Sequence, residues 1–551
     1  MNSKYKKLEL CWPGKDIDVK PEPRVLIEDP EKSYGEADTA NMLIHADNLL
    51  ALKALEQNFS GKIKCIYIDP PYNTGNAFEH YDDGLEHSIW LNLLKPRLEI
   101  LYKLLSKDGV LFVNLDEVEH AYLKIMLDEI FGRRNFIGDI IWKKRKGGGN
   151  DSRFIALDHD YILVFAKDAT KETHKTKWRV SQSEEYLKRY KEVDEKGKRY
   201  YWDTLARDGL QNPIPVVIDC PDGTKLSLNS QKSINTINEG LTNGQIRLKK
   251  TKNGWAMHHR VYMPLSGQVL RSIIENVGTN KTANDETKAL FGVNNSFDYP
   301  KPESLIQKLL ELVTNEGDFV LDSFLGSGTT AAVAHKMKRK YIGIELGEHC
   351  NTHCLPRLKA VCDGTDQGGI SKAVQWNGGG GFRFYNLAPS LLKKDKYNQW
   401  VINPKYNATL LAASMARQEG FIYKPSEEVV WKQGFATEYH FIFTTTTHIT
   451  PDIVEQILSE MKPEESLRIC CTAFNEGCNE LSSRIEIKKI PDMILGKCEF
   501  DKEDYCTETN IINMPADPDA PAFIPSFVNP EVKPETAVIE KDKPTQTKLL
   551  F

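Results

Sequence analysis

The sequence predicts an α/β protein built on a mainly parallel sheet, and three stretches carry that prediction. Cys65-Ile66-Tyr67-Ile68 is a short apolar run of the kind that a central parallel strand buries on both faces. Residues 315 to 349 read as strand, glycine turn, helix and strand in succession. EYHFIFTTTT (438 to 447) followed by DIVEQILSEM (452 to 461) repeats the alternation in a second, smaller unit. At 551 residues the chain exceeds one hydrophobic core and is expected to hold two or three domains.

Composition bounds the class. Hydrophobic residues make up 40% and charged residues 27%, and no window approaches the apolar run of a membrane span, so no membrane role is expected. The opening MNSKYKKLEL lacks an apolar core and a small-residue cleavage site, which points to the cytoplasm. Eleven cysteines without a C-x-x-C pair fit reduced thiols.

The first strand ends in CIYIDPPYN. Pro70 and Pro71 cannot donate to a ladder, so the strand stops near Asp69, leaving the carbonyls of Asp69 and Pro70 as fixed acceptors. Tyr72 adds a flat ring beside them. Acceptors next to a flat ring suit the exocyclic amine of a base swung out of a duplex. The competing reading is a strand-ending turn whose aspartate caps something, and a second motif has to decide.

Net charge is -5, yet residues 141 to 280 carry 25 basic and 16 acidic side chains against 47 and 61 elsewhere. KKRKGGGND begins this basic middle with Lys143, Lys144, Arg145 and Lys146. Beyond it, cations interleave with Trp178, Tyr190, Tyr200, Tyr201, Trp202 and Trp255, as on a surface that tracks phosphates and stacks bases.

The second motif is NEGDFVLDSFLGSGTTAAVAHKMKRKYIGIELGEH (315 to 349). A strand ends at Asp322, Phe324-Leu325-Gly326-Ser327-Gly328 turns, Thr329 opens a helix, and a second strand ends on Glu345. An acid at that tip is placed to accept both hydroxyls of a ribose. No Lys follows Gly328 to make a phosphate loop. The third glycine of the dinucleotide fingerprint is also missing, which favours S-adenosylmethionine over NAD.

Together D-P-P-Y and F-x-G-x-G resemble the amino-methylating DNA methyltransferases, and their order resembles the permuted β group. The resemblance implies a permuted Rossmann-like S-adenosylmethionine-dependent methyltransferase sheet with an inserted target-recognition domain and a small C-terminal α/β domain. It implies that Asp69, Pro70, Pro71 and Tyr72 hold the target amine, and that Asp322, Phe324, Gly326, Gly328, Thr329 and Glu345 hold the cofactor. In MLIHADNLLALKAL (42 to 55), Asp47 matches a cofactor-adenine contact, and in FDYPKPESLIQKLL (297 to 310), Lys301 and Pro302 match the segment closing over the methionine end. Asn73 and the Lys143, Lys144, Arg145, Lys146 run are the expected DNA contacts. Ser323 departs from the family, which often has proline there. The acidic first position of D-P-P-Y favours adenine, although the family uses related motifs for cytosine.

ELCWPGK (9 to 15), RVLIEDPEKSYG (24 to 35), GGGGFRFYNL (378 to 387) and SSRIEIKKIPDMIL (482 to 495) further resemble the modification subunit of type III restriction-modification systems. That implies double-stranded DNA as substrate, a helicase-nuclease partner and a homodimer; a solitary or phage-type methyltransferase of the same architecture is the alternative. The expected divisions are 1–168 for an arm and the catalytic half, 169–296 for recognition, 297–390 for the cofactor half, 391–515 for the small domain and 516–551 for a flexible tail. HCNTHCLPRLKAVC (349 to 362) reads as a packing helix and not a metal cluster, and His159 as structural. Gln546-x-x-Leu549-x-Phe551 resembles the peptide that docks into the bacterial sliding clamp, although so short a match weighs toward a tail folded back on its own domain.

Overall fold

The structure is a computed structural model that describes residues 9–72, 87–147, 154–171, 178–180, 184–206, 212–252, 254–263, 268–295, 297 and 299–505. Asn73 and the Gln546–Phe551 peptide lie outside them.

The Ile63–Ile68 strand is buried at all six positions. Side chains alternate across a strand, so Ile66 and Ile68 enter one apolar cluster and Cys65 and Tyr67 the other. The first cluster is closed by helices Asn48–Phe59 and His87–Leu104. The second is closed by Glu303–Val313, Thr329–Lys336 and Leu355–Cys362. Each large aliphatic side chain buried this way stabilises the fold by roughly 1.5–3 kcal/mol.

Across the sheet the order is Leu26–Glu28, Gly381–Leu387, Met42–His45, Lys340–Glu345, Phe319–Asp322, Ile63–Ile68, Leu105–Leu115, His159–Ala166, Phe136–Lys143 and Ile273–Ile274. The strands from Gly381–Leu387 to Leu105–Leu115 are all parallel. Two late strands, ending at Asp322 and Glu345, are thus wedged between two early ones. This interleaving is what brings their tips beside Asp69. The sheet is mixed, because Leu26–Glu28 and His159–Ala166 run antiparallel to their neighbours.

Between the halves, Glu192–Val193, Arg199–Thr204, Gly254–Tyr262 and Ile246–Thr251 form an antiparallel sheet packed on helix Ile234–Thr242. Tyr190 and Tyr200 are buried there, which corrects their expected place on a stacking surface. The Tyr190 ring meets Tyr201 edge-on at 5.1 Å, and its hydroxyl meets that of Tyr186 at 2.8 Å. Ile273–Ile274, although within 169–296, pairs with Phe136–Lys143 at the edge of the large sheet.

The C-terminal unit is a five-stranded sheet containing His440–Thr445, with helices Ala408–Gln418 and Pro451–Glu460. From it the chain returns to the N-terminal arm, where Glu499 N donates to the Lys20 carbonyl at 2.9 Å and Arg24 pairs with Glu503 at 2.9 Å. No helix among the described residues is long and apolar enough to cross a membrane.

Candidate active site

Asp69 follows the last residue of the central strand, and Asn114 lies near the end of the parallel neighbour Leu105–Leu115. The Tyr72 hydroxyl donates to Asp69 Oδ1 at 2.7 Å, and Asn114 Nδ2 approaches the same oxygen at 3.2 Å and also the Tyr72 hydroxyl. Lys301 Nζ donates to Asp69 Oδ2 and stands 5.1 Å over the Tyr72 ring. Burial, then the charges of Asp160 and Asp69, hold the Tyr72 phenol well above its ordinary pKa. It stays a protonated donor.

The D-P-P-Y turn is locked from outside as well. Trp90 Nε1 donates to the Pro71 carbonyl at 2.6 Å. The Pro70 carbonyl receives no hydrogen bond among the described residues, so it remains an acceptor at the strand tip. Of the basic run, Lys143 ends the Phe136–Lys143 strand, and Lys144 turns inward to Asp160 Oδ1 at 2.6 Å. Asp160 Oδ2 is in turn 3.5 Å from the Tyr72 hydroxyl. Arg145 and Lys146 are exposed.

The neighbouring tips carry the second motif. Gly326 and Gly328 have φ of 57° and 83°, left-handed values that glycine adopts without a Cβ penalty, and they turn the chain from Asp322 into helix Thr329–Lys336. Glu345 is buried, accepting from Gly326 N at 2.7 Å and Gly347 N at 3.0 Å. Asp322 accepts from Phe324 N at 2.9 Å. Burial pushes its carboxyl up to about 7; the hydrogen bonds from Thr330 and Phe324 oppose this, while Asp69 and Glu345 add to it. Three carboxylates and a glycine turn at adjacent tips make a donor set that fits a cationic, nucleoside-bearing ligand better than a phosphate.

Lys301 reaches Asp69 from a strained turn, because the residue two before it, Tyr299, has a φ of 55°. Pro302 is the N-cap of helix Glu303–Val313 and sits where a Cβ on Gly278 would collide with it. Asp47 lies two residues past the strand that pairs His45 with Glu345, and there it is an N-cap. Its Oδ1 accepts from Leu50 N at 3.0 Å, while Oδ2 takes Tyr505 N at 3.0 Å and lies 3.3 Å from Arg97 Nη2.

Sequence reasoning missed the buried ionic frame behind the glycine turn. Arg357 donates to Thr329 Oγ1 at 2.9 Å, to the Ser327 carbonyl at 3.3 Å and to Glu303 Oε1 at 2.8 Å. Lys336 joins Glu303 at 2.9 Å and Asp366 at 2.7 Å. This frame ties the Lys301-Pro302-Glu303 segment to the glycine turn. Asn114, Asp160 and Trp90 were also missed; each acts through the fold and stands in no motif.

The family described as DNA methylase matches residues 63–353, a span that contains both motifs. The chain is 35% identical over 404 residues to the probable type III restriction-modification enzyme HindVI Mod subunit of Haemophilus influenzae, covering 63% of this chain and 54% of that protein. It is 33% identical over 334 residues to the StyLTI Mod subunit of Salmonella typhimurium, covering 53% and 49%. To the EcoP15I Mod subunit of Escherichia coli it is 26% identical over 515 residues, covering 76% and 79%. The chain thus spans about half the length of the first two relatives. With more than half of its residues inside the family match, the chain belongs to the DNA methylases.

Proposed function

We propose that the chain is a site-specific DNA adenine-N6 methyltransferase that uses S-adenosylmethionine and acts as the modification subunit of a type III restriction-modification system. The observation that carries this reading is the meeting, at adjacent strand tips, of the Asp69 to Tyr72 turn with Asp322, Gly326 and Glu345. Asp322, Phe324, Gly326, Gly328, Thr329 and Glu345 would hold the cofactor, with Lys301, Pro302 and Asp47 around it. S-adenosylmethionine supplies a methyl group activated on a sulfonium.

An adenine amine is a weak nucleophile because its lone pair is delocalised into the ring. Asp69 and the Pro70 carbonyl accept its two hydrogens, which draws the nitrogen toward a tetrahedral arrangement and frees the lone pair. Tyr72, held by Asp69 and Asn114, stacks on the extruded base. Positioning and local electrostatics supply most of the acceleration. Arg145 and Lys146 are available to phosphates, and a helicase-nuclease subunit and a second copy of the chain are the protein partners of this reading. Its setting is the cytoplasm.

The test is parallel transfer of labelled methyl from S-adenosylmethionine to duplex DNA, RNA and protein, with nucleoside analysis of the product. N6-methyladenine in duplex DNA alone is the expected result. N4-methylcytosine would overturn the choice of base, and label confined to RNA or protein would overturn the substrate class. Co-purification with a helicase-nuclease separates the type III reading from a solitary enzyme.

A further inference from the structure

The four-stranded sheet of the insertion has two unlike faces. Ile246, Leu248 and Met257 point toward helix Ile234–Thr242 and close an apolar core. On the opposite face the register sets Trp202 against Arg260 and Arg247 against His258, with Lys249 two residues along from Arg247. The Arg247 guanidinium lies 4.1 Å from the Trp202 ring centroid, and that of Arg260 lies 4.7 Å from Tyr200 and 5.5 Å from Trp202. Trp202 is itself fixed, its Nε1 donating to Glu192 at 2.9 Å.

Basic side chains predominate on this face, offset in part by Asp194 acting on Arg260 and Asp203 acting on His258. Glu192 is engaged by the Trp202 indole and the Tyr200 hydroxyl, and Asp194 accepts from the backbone of its own turn. Burial, then Arg247 and Lys249, hold the His258 imidazole below its ordinary pKa, so three basic groups converge. The Nε atoms of both arginines are buried without a hydrogen-bond partner among the described residues. Each plane is held by stacking, and that of Arg260 also by a hydrogen bond with the Tyr262 hydroxyl, which leaves the outer nitrogens of Arg247 and part of the Arg260 fork to be used.

Stacking decides between two uses of a cation. A phosphate asks only for charge, which mobile lysines such as Lys249 supply, whereas a base edge asks for a planar fork at fixed orientation. Guanine, with O6 and N7 side by side in the major groove, is the base such a fork reads. We propose that Arg247 and Arg260 are specificity-determining residues, reading guanine edges in duplex DNA from this face. The inference rests on the proposed DNA-modifying function, but its test does not require methyl transfer.

The full chain is used to select from a random duplex pool, and the enriched sequences are compared for wild type, Arg247→Lys, Arg260→Lys and Lys249→Ala. Wild type is expected to enrich a motif containing guanine. In the arginine variants, which keep the charge and lose the fork, preference at one guanine is expected to fall about tenfold or more. Lys249→Ala is expected to weaken all sequences alike. An unchanged motif in both arginine variants, or a loss that is uniform across sequences, overturns the proposal, as does a wild-type chain that enriches nothing. Arg247→Gln and Arg260→Gln, with melting temperatures measured alongside, cover a lysine variant that fails to fold. Enrichment without transfer would count against the enzymatic reading alone.

Discussion

Lys301 Nζ donates to Asp69 Oδ2, joining two residues 232 positions apart across the tips of the sheet. The carboxylate expected to meet an amine is already held by an amine of the protein, and Tyr72 and Asn114 occupy its other oxygen. Lys301 therefore marks the place of a hydrogen-bond donor at Asp69, and under the proposed function it would have to yield that place to the target.

Asp69→Ala removes that acceptor and leaves Lys301 uncompensated. Transfer is expected to vanish while calorimetry finds S-adenosylmethionine binding changed by no more than a few-fold. Loss of binding together with activity would show that the carboxylate serves the donor and not the target.

The same variant should move the titration of Asp322. Its folded pKa of about 7 exceeds the ordinary 3.8, so between those values the folded chain holds a proton that the unfolded chain has lost. That contribution to stability is present at acid pH and lost as pH rises through about 7. Binding of a cation runs the other way, because it favours the ionised carboxylate. Cofactor affinity is expected to tighten from pH 6 to 7.5, and Asp322→Asn to flatten the profile. Asp69→Ala removes a like charge and exposes Asp322 to Lys301, so its midpoint should fall. Calorimetry in buffers of different ionisation enthalpy reads the proton released.

Glu345→Ala should weaken cofactor binding by about 1.5–3 kcal/mol, the scale of hydrogen bonds to a charged acceptor. DNA affinity should change little. Because Glu345 also accepts from Gly326 N on one oxygen and Gly347 N on the other, Glu345→Gln separates the two jobs in part: its single amide oxygen can still accept from one backbone N–H while the charge is lost. An affinity unchanged in both variants would refute the ribose assignment.

Glu303→Ala takes the paired carboxylate from buried Arg357 and leaves Lys336 with Asp366, and is expected to cost about 3–5 kcal/mol of stability in denaturant titration. Glu303→Met with Lys336→Met should recover part of it. If the single variant costs less than about 1 kcal/mol, the frame does not hold the glycine turn in place.

The strands and turns that carry chemistry were legible because they are local: the apolar run before Asp69, the prolines after it and the glycines before Thr329 each declare themselves within a dozen residues. Their meeting was legible only through resemblance. Asn114, Asp160 and Arg357 could not be read, because each gains its meaning from a partner at least 28 positions away. Asp47 shows the converse. Asx before an apolar run is the ordinary signature of a helix N-cap, and the structure uses both its oxygens inside the fold. Tyr190 and Tyr200 misled because aromatics interleaved with cations look alike whether they face water or are covered by neighbouring rings and guanidinium groups.

The wedging of Phe319–Asp322 against Ile63–Ile68 also sets a schedule for the nascent chain. The ribosome releases the Asp69 turn long before the strand that must lie beside it. At ordinary rates of synthesis the central strand waits roughly 10–50 s for that neighbour. Until then one of its edges is open, and a growing polypeptide cannot assemble the paired tips from which methylation would proceed.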